Sequence, residues 1–180
     1  AVADESGWSI SLSSDGSILA IGAHQNDGNG YNSGHVRVYN WDGSSWNQTG
    51  NDIDGEAASD ESGYSVSLSS DGNIVAIGAI GNDGNGINSG HTRIYEFNGI
   101  SWVQIGQDID GEEMSEDGGH SVSLNSDGTI IAIGASGNDG NGSNSGHVRV
   151  FEYTNNNWSQ LGQNLNGEAS NDVFGRVVAL

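Results

Sequence analysis

The chain has 180 residues, among them 30 glycines, and contains no cysteine, proline or lysine; four arginines stand against 24 carboxylates, for a net charge of −20. That excludes a disulfide framework, a thiolate metal site and a cysteine nucleophile, and it leaves nothing to hold a phosphate backbone, so no nucleic acid is expected as a partner. No apolar run reaches the ~18 residues of a spanning helix, so no membrane insertion is expected, and regular Val, Ile and Leu separate the chain from disordered acidic sequences.

The first strand is predicted over 8–13, where Trp8, Ile10 and Leu12 alternate with serine and share one face. Ser14-Asp15-Gly16 reads as a tight turn, with glycine free to take positive φ. A second strand over 18–23 is apolar throughout, as a strand buried on both faces should be. The polar loop Asn26-Asp27-Gly28-Asn29-Gly30 leads to a third strand over 35–39, and Asp42-Gly43 turns the chain into a fourth, polar strand over 45–49 suited to an outer edge. Residues 50–62 read as a long acidic connection.

All of this then recurs. Gly7, Gly63, Gly119 and Gly175 are spaced by 56 residues, and the same step relates Gly22, Gly78 and Gly134, His35, His91 and His147, and Trp46, Trp102 and Trp158. Self-similarity at a fixed period is the mark of a repeat architecture. A unit of this length with four antiparallel strands is the blade of a β-propeller. The fold class is therefore all-β, with three four-stranded antiparallel blades and the first strand of a fourth, forming an incomplete propeller or part of an assembly. Blade one and its connection cover 1–62, blade two 63–118 and blade three 119–174, and 175–180 starts a fourth. The chain opens at Ala1 within a unit junction, and both ends are expected to be cut ends.

Several segments resemble the FG-GAP repeat. Phe174-Gly175 followed by Val177-Val178-Ala179-Leu180 resembles its opening, and Ile21-Gly22-Ala23, with its copies at 77–79 and 133–135, resembles the "GA" half of its GAP element without the proline. Ser33-Gly34-His35-Val36-Arg37-Val38-Tyr39 resembles the following strand, Trp46-x-Gln48-x-Gly50 the strand-four segment of bacterial-type repeats, and residues 55–60 the linker before the next FG. The resemblance implies a propeller related to the head of integrin α subunits, usually secreted or surface-exposed and used in adhesion or binding. Integrin-type repeats carry calcium in an Asp-rich loop between strands one and two. Here that link is a tight turn around Asp15, Asp71 or Asp127, too short to wrap a cation needing six to eight oxygens.

Calcium is the one candidate cofactor, at two other places. Asp52, Asp54 and Glu56, and again Asp108, Asp110 and Glu112, set hard oxygen donors at alternate positions around a glycine. Asp27 and Asn29, Asp83 and Asn85, and Asp139 and Asn141 offer oxygens in identical loops. The competing reading gives the first set to solvated turn acids and the second to Asx-turn loops, where Asn, Asp and Gly tolerate positive φ. In an up-and-down blade the two-to-three and four-to-one links emerge at the same end, so both sets crowd one rim. Arg37, Arg93 and Arg149 are read as inter-blade links. His35, His91 and His147, one per blade, stand too far apart around a ring to share a zinc ion.

No asymmetric catalytic set stands out from the repeat, so no enzyme is expected. The expected function is a secreted or cell-surface repeat module for adhesion, ligand binding or extracellular scaffolding, with a protein or glycan ligand on the acidic loop face. A structural subunit of an extracellular filament is the alternative, and an accessory propeller of a secreted hydrolase a weaker one. Three blades leave two raw sheet faces, to be covered by further blades of a longer chain, by a second copy closing a six-bladed ring, or by head-to-tail stacking.

Overall fold

The structure, a computed structural model, describes residues 3–180; Ala1, on which the reading of the chain's start rests, lies outside them. β1 (Ser9–Leu12), β2 (Ile18–Ala23) and β3 (His35–Trp41) form an antiparallel meander. Two short pieces cover the outer edge of β3: β4 (Trp46–Gln48) lies along Tyr39–Trp41, and β5 (Ile53–Asp54) along His35–Val36. Blade two repeats this with β6 (Ser62–Leu68), β7 (Ile74–Ala79), β8 (His91–Phe97), β9 (Trp102–Gln104) and β10 (Ile109–Asp110). Blade three does so with β11 (Gly118–Leu124), β12 (Ile130–Ala135), β13 (His147–Thr154), β14 (Asn157–Gln160) and β15 (Leu165–Asn166). No helix occurs among the described residues.

The sequence places the second strand at its observed bounds, but not the outermost one. Residues 50–62 are not all connection, because Ile53 brings the chain back onto β3 and is buried between blades at 6% exposure. In blades two and three the first strand also starts early, at Ser62 and Gly118, and bulges over Gly63-Tyr64 and Gly119-His120 before the ladder resumes. The predicted turn is as expected: the Gly16 amide donates to Ser13 O at 3.0 Å, with φ of +75° at Gly16.

The core lies between blades, not within them. Ala20, Val36, Val38 and Ile53 of blade one meet Leu68, Val75, Ile77 and Tyr95 of blade two, and a second cluster joins blades two and three in the same way. Each buried Val, Leu or Ile contributes about 1.5–3 kcal/mol, against about 1 kcal/mol for a typical hydrogen bond, so side-chain burial dominates the joint.

The serines of the first strands register the blades. Ser9 Oγ donates to Gly63 O and Ser65 Oγ to Gly119 O, both at 2.7 Å, and Ser121 Oγ to Gly175 O at 2.8 Å. One residue pair further on, Ser11, Ser67 and Ser123 accept from the amides of Leu68, Leu124 and Leu180 at 2.9–3.0 Å. The alternation of serine with apolar residues thus does not mark a solvent face. Its polar side binds the backbone of the next blade.

The two end faces are raw. Leu12 is 54% exposed, whereas Leu68 and Leu124 in the same place are 7% and 6% exposed. At the other end Leu165 is 47% exposed, while its equivalents Ile53 and Ile109 are buried. Residues 174–180 lie against blade three in the seat of an innermost strand, but without a ladder partner of their own.

Candidate binding face

Two loops per blade rise at one end. In the loop after β2, Asn26 Oδ1 accepts the Gly28 amide at 2.7 Å and Asp27 Oδ1 the Asn32 amide at 2.8 Å, which are Asx-type turns. Asn29 Nδ2 then donates to Gly55 O at 2.8 Å and Glu56 O at 3.2 Å, stitching this loop to the connection after β5. Blade two does the same through Asp83 and Asn85, and blade three through Asp139 and Asn141. The repeated loop motif is therefore a bracket that makes each pair of loops one surface. Its carboxylates at Asp27, Asp83 and Asp139 are exposed.

The acidic connection behaves differently. Asp52 takes two donors of the Arg37 guanidinium, the closest at 2.8 Å, and Gln48 Nε2 at 2.6 Å. Arg93 Nη2 donates to Asp54 O at 3.0 Å and Nη1 lies 3.2 Å from Glu56, both in the preceding unit. Arg149 Nη2 donates to Asp110 O at 2.7 Å, and Nη1 lies 3.9 Å from Glu112. The arginines of blades two and three thus link blades. Arg37 has no preceding unit among the described residues and turns to its own blade.

Three groups bring metal-ligand atoms within 4.8 Å of one another: His35 with Asp52 and Asp54, His91 with Glu56 and Asp108, and His147 with Glu112 and Glu116. The candidates Asp52, Asp54, Glu56, Asp108 and Glu112 therefore gather beside histidines. Asp110, Asp27, Asn29, Asp83, Asn85, Asp139 and Asn141 join none of these groups. Two carboxylates and an imidazole suit a four-coordinate ion better than calcium's six to eight oxygens. Each group also has an arginine in contact, which supplies positive charge from the protein itself. The integrin-type position does not fit calcium either: Asp15 Oδ1 is taken up within its own turn by the Ser13 and Ser17 hydroxyls and the Ser17 amide, which hold its carboxyl down at about 2.

One carboxylate that the sequence reading passed over anchors the connection. Asp60 Oδ2 accepts the amides of Glu56 and Ala57, Asp172 those of Glu168 and Ala169, and Glu116 those of Glu112 and Glu113, at 2.8–3.1 Å. Glu116 is fully buried and also lies 2.9 Å from His147 Nε2 and 3.8 Å from Arg149 Nη2. The signal was present, since Asp4, Asp60, Glu116 and Asp172 follow the 56-residue step.

The first-strand aromatics gather at the inner edge of the same end. Trp8 and Tyr64 have ring centroids 5.6 Å apart and Tyr64 and His120 5.3 Å, with His24 4.7 Å from Trp8. His120 packs in the first-strand aromatic seat, as its sequence position implies. Beside these rings Glu5, Glu61 and Asp117 hold left-handed backbone, at φ of +52°, +56° and +58°. Burial first pushes the Glu61 and Asp117 carboxyls up; neighbouring carboxylates add to it, and at Asp117 the closer His120 opposes it.

Burial, and then the Arg93 charge, lowers the His91 imidazole to about 4, against the pull of Asp108 and Asp60. Burial also lowers His35. A histidine held neutral in the fold stabilises fully above its unfolded value of 6.5, and that contribution is lost as pH falls towards the folded value. Stability is therefore expected to begin falling below about pH 6.5, before ordinary carboxylates titrate. Denaturant midpoints measured from pH 8 to 4 should show this slope, and His91→Gln should flatten it; an unchanged slope in that variant would assign the effect elsewhere.

Comparison with known proteins places this architecture. Residues 1–39 and 53–95 match the FG-GAP repeat family. These two segments are FG-GAP repeats, and the three sheets of the chain are propeller blades. No curated protein sequence matches it. Among solved structures it is similar to a Bacteroides uniformis protein described as a 6-phosphogluconolactonase, at 13% identity and a TM-score of 0.59, covering 87% of this chain and 40% of that one. It is also similar to Saccharomyces cerevisiae Sqt1, at 13% identity and a TM-score of 0.57 over 94% of this chain and 38% of that one. Kuenenia stuttgartiensis hydrazine synthase matches at 14% identity and a TM-score of 0.54, over 88% and 36%. Identities this low speak for the fold alone. The chain spans about two fifths of the length of these structures.

Proposed function

We propose that the chain is a non-enzymatic, secreted or cell-surface binding module, whose loop rim takes a protein ligand in adhesion or scaffolding. The observation that carries this is the mixture of groups at the loop tips. Tyr31 is 71% exposed and Ile87 and Met114 are each 63% exposed, among the carboxylates of the same loops. Ile87 and Met114 stand side by side, because the Ser115 amide donates to Ile87 O at 2.9 Å and Met114 covers Gly86. Large apolar side chains held on bracketed loops within a polar surround are what a protein interface needs. A glycan would favour the acids and amides without them. A panel of immobilised basic proteins and glycans tests the reading. Binding to a protein should fall about tenfold or more in the Ile87→Ser, Met114→Ser double variant. Binding that survives that change, or is confined to glycans, overturns it.

Calcium has a separate test. Because guanidinium groups already face the acids of the connection, millimolar calcium or a chelator is expected to leave the melting temperature within about 1 °C. A calcium-dependent rise would give those acids to a bound ion, and Asp108→Asn should then abolish it.

A further inference from the structure

We propose that Asn98 is a site of spontaneous deamidation, at which the following backbone amide attacks the side chain and converts it to a carboxylate. The chain has five Asn-Gly pairs, beginning at Asn29, Asn85, Asn98, Asn141 and Asn166. Glycine has no Cβ to keep its nitrogen away from the preceding side chain, so all five carry the two groups that the reaction joins. The fold separates them by what it does with the attacking nitrogen.

In four pairs that nitrogen is engaged. The Gly30 amide donates to Asp27 O and the Gly86 amide to Asp83 O, both at 3.2 Å, the Gly142 amide to Asp139 O at 3.0 Å and the Gly167 amide to Gly146 O at 2.8 Å. Three of the side chains are held as well, since Asn29, Asn85 and Asn141 donate from Nδ2 to the carbonyls of Gly55, Gly111 and Gly167. Ring closure at those three must first break the bracket between the loops.

Asn98-Gly99 is the exception. It lies in the turn between β8 and β9, at the end of blade two away from the loop rim, and both residues are exposed. The Gly99 amide and Asn98 Nδ2 have no hydrogen-bond partner among the described residues, and nothing lies within 4 Å of the Gly99 Cβ position. Asn98 Oδ1 accepts the amides of Ile100 and Ser101, both at 2.9 Å. When the Gly99 nitrogen, its proton lost to base in the solvent, bonds to Asn98 Cγ, negative charge collects on that same oxygen, and two donors already face it. The carbonyl then re-forms, the Cγ–Nδ2 bond breaks, and Nδ2 leaves as ammonia with a proton taken from water. Water next opens the five-membered imide. Opening at the side-chain carbonyl gives aspartate, and opening at the main-chain carbonyl gives isoaspartate. Either product exchanges an NH2 for an OH and adds one negative charge.

Blade one shows that the aspartate product fits. Asp42-Gly43 holds the same place in its blade, and Asp42 Oδ1 accepts the amides of Ser44 and Ser45 at 2.8 and 2.9 Å. The Ser44 hydroxyl and these amides hold the Asp42 carboxyl down at about 2, so at neutral pH it stays ionised and resists the same attack. Aspartate at position 98 is therefore a stable end point. Isoaspartate instead adds a methylene to the main chain beside the Phe97–Trp102 pair.

Incubating the native chain in mildly alkaline buffer and mapping its peptides by mass spectrometry over time tests the proposal. Asn98 should convert to a mixture of aspartate and isoaspartate at least about tenfold faster than Asn29, Asn85, Asn141 and Asn166, a low figure for donors placed at a developing oxyanion. In denaturant the four slower sites should catch up, because unfolding frees their glycine amides. Gly99→Ala should slow conversion at Asn98 alone, by setting a Cβ beside the attacking nitrogen. Native rates that do not single out Asn98, or a Gly99→Ala chain that converts as fast, would overturn the proposal. A lead for Asn98 that persists undiminished in denaturant would overturn the role of the fold in it.

Discussion

Gly78→Ala is expected to cost at least about 3 kcal/mol, the upper end of ordinary overpacking, and to lower the melting temperature by roughly 6–12 °C. A Cβ on Gly78 would lie 2.1 Å from Gly119 O and 2.4 Å from Ser65 Oγ. The serine could turn away, but the carbonyl belongs to the bulge that opens blade three and is itself held by Ser65 Oγ. Blade three can make room only by moving off blade two, which opens the cluster of Ile94, Ile131 and Ile133. The same approach recurs at Gly22 with Gly63 O and at Gly134 with Gly175 O. It explains why the repeat needs glycine in both halves: the glycine of the "GA" strand is the floor on which the glycine of the next opening rests. Gly99→Ala separates this from backbone strain. Gly99 has φ of +92° with nothing within 4 Å of its Cβ position, so that variant should lose only about 1–2 kcal/mol. Thermal melts of the two variants should differ clearly. Equal losses would mean that contact between blades does not set the requirement.

β2 and its copies were legible to the residue, because a six-residue apolar run between a turn and a polar loop has one sensible register. β5 was not: two residues carry no period, and only the contact of Ile53 with the next blade reveals it. The serine alternation marks the right element but carries no sign of what the serines meet, since a side chain bonded to a neighbouring backbone looks like a solvent-facing one in a period-2 pattern. The loop motif at 26–30 and the acids at 52–56 looked like one class of site. The structure separates them: the first brackets loops within a blade, whereas the second meets cations, mostly from the following blade. That division depends on which blade lies next to which acid, and spacing alone cannot carry it. Met114 stands out as unique to its unit, but the role of Tyr31, Ile87 and Met114 is not legible, for a related reason. They stand where the repeat varies, and a variable position can be given a role only once its exposure is known.

The acid response of the joint between blades two and three should turn on Glu116. Glu116→Ala removes a fully buried carboxylate and leaves Arg149, itself 5% exposed, without its nearest countercharge and His147 Nε2 without the oxygen 2.9 Å away. Breaking a buried pair from one side costs about 3–5 kcal/mol, and the amides of Glu112 and Glu113 lose their acceptor as well. A fall in melting temperature on the order of 10 °C is expected. Glu116→Gln isolates the charge, since it keeps an oxygen for those amides. In the native protein burial drives the Glu116 carboxyl up, but the approach of His147 and the charges of His147 and Arg149 outweigh it, and the group ends below its ordinary value of 4.5. A carboxyl lowered by folding stabilises above its unfolded value and loses that contribution as pH falls through the folded one. The stability gap between the native chain and Glu116→Gln should therefore be full at pH 6–7 and shrink steadily below about pH 4.5. Denaturant titrations of both chains from pH 7 to 3 measure it directly. A gap that stays constant over that range would mean that the glutamine's altered shape, not the missing charge, weakens the joint.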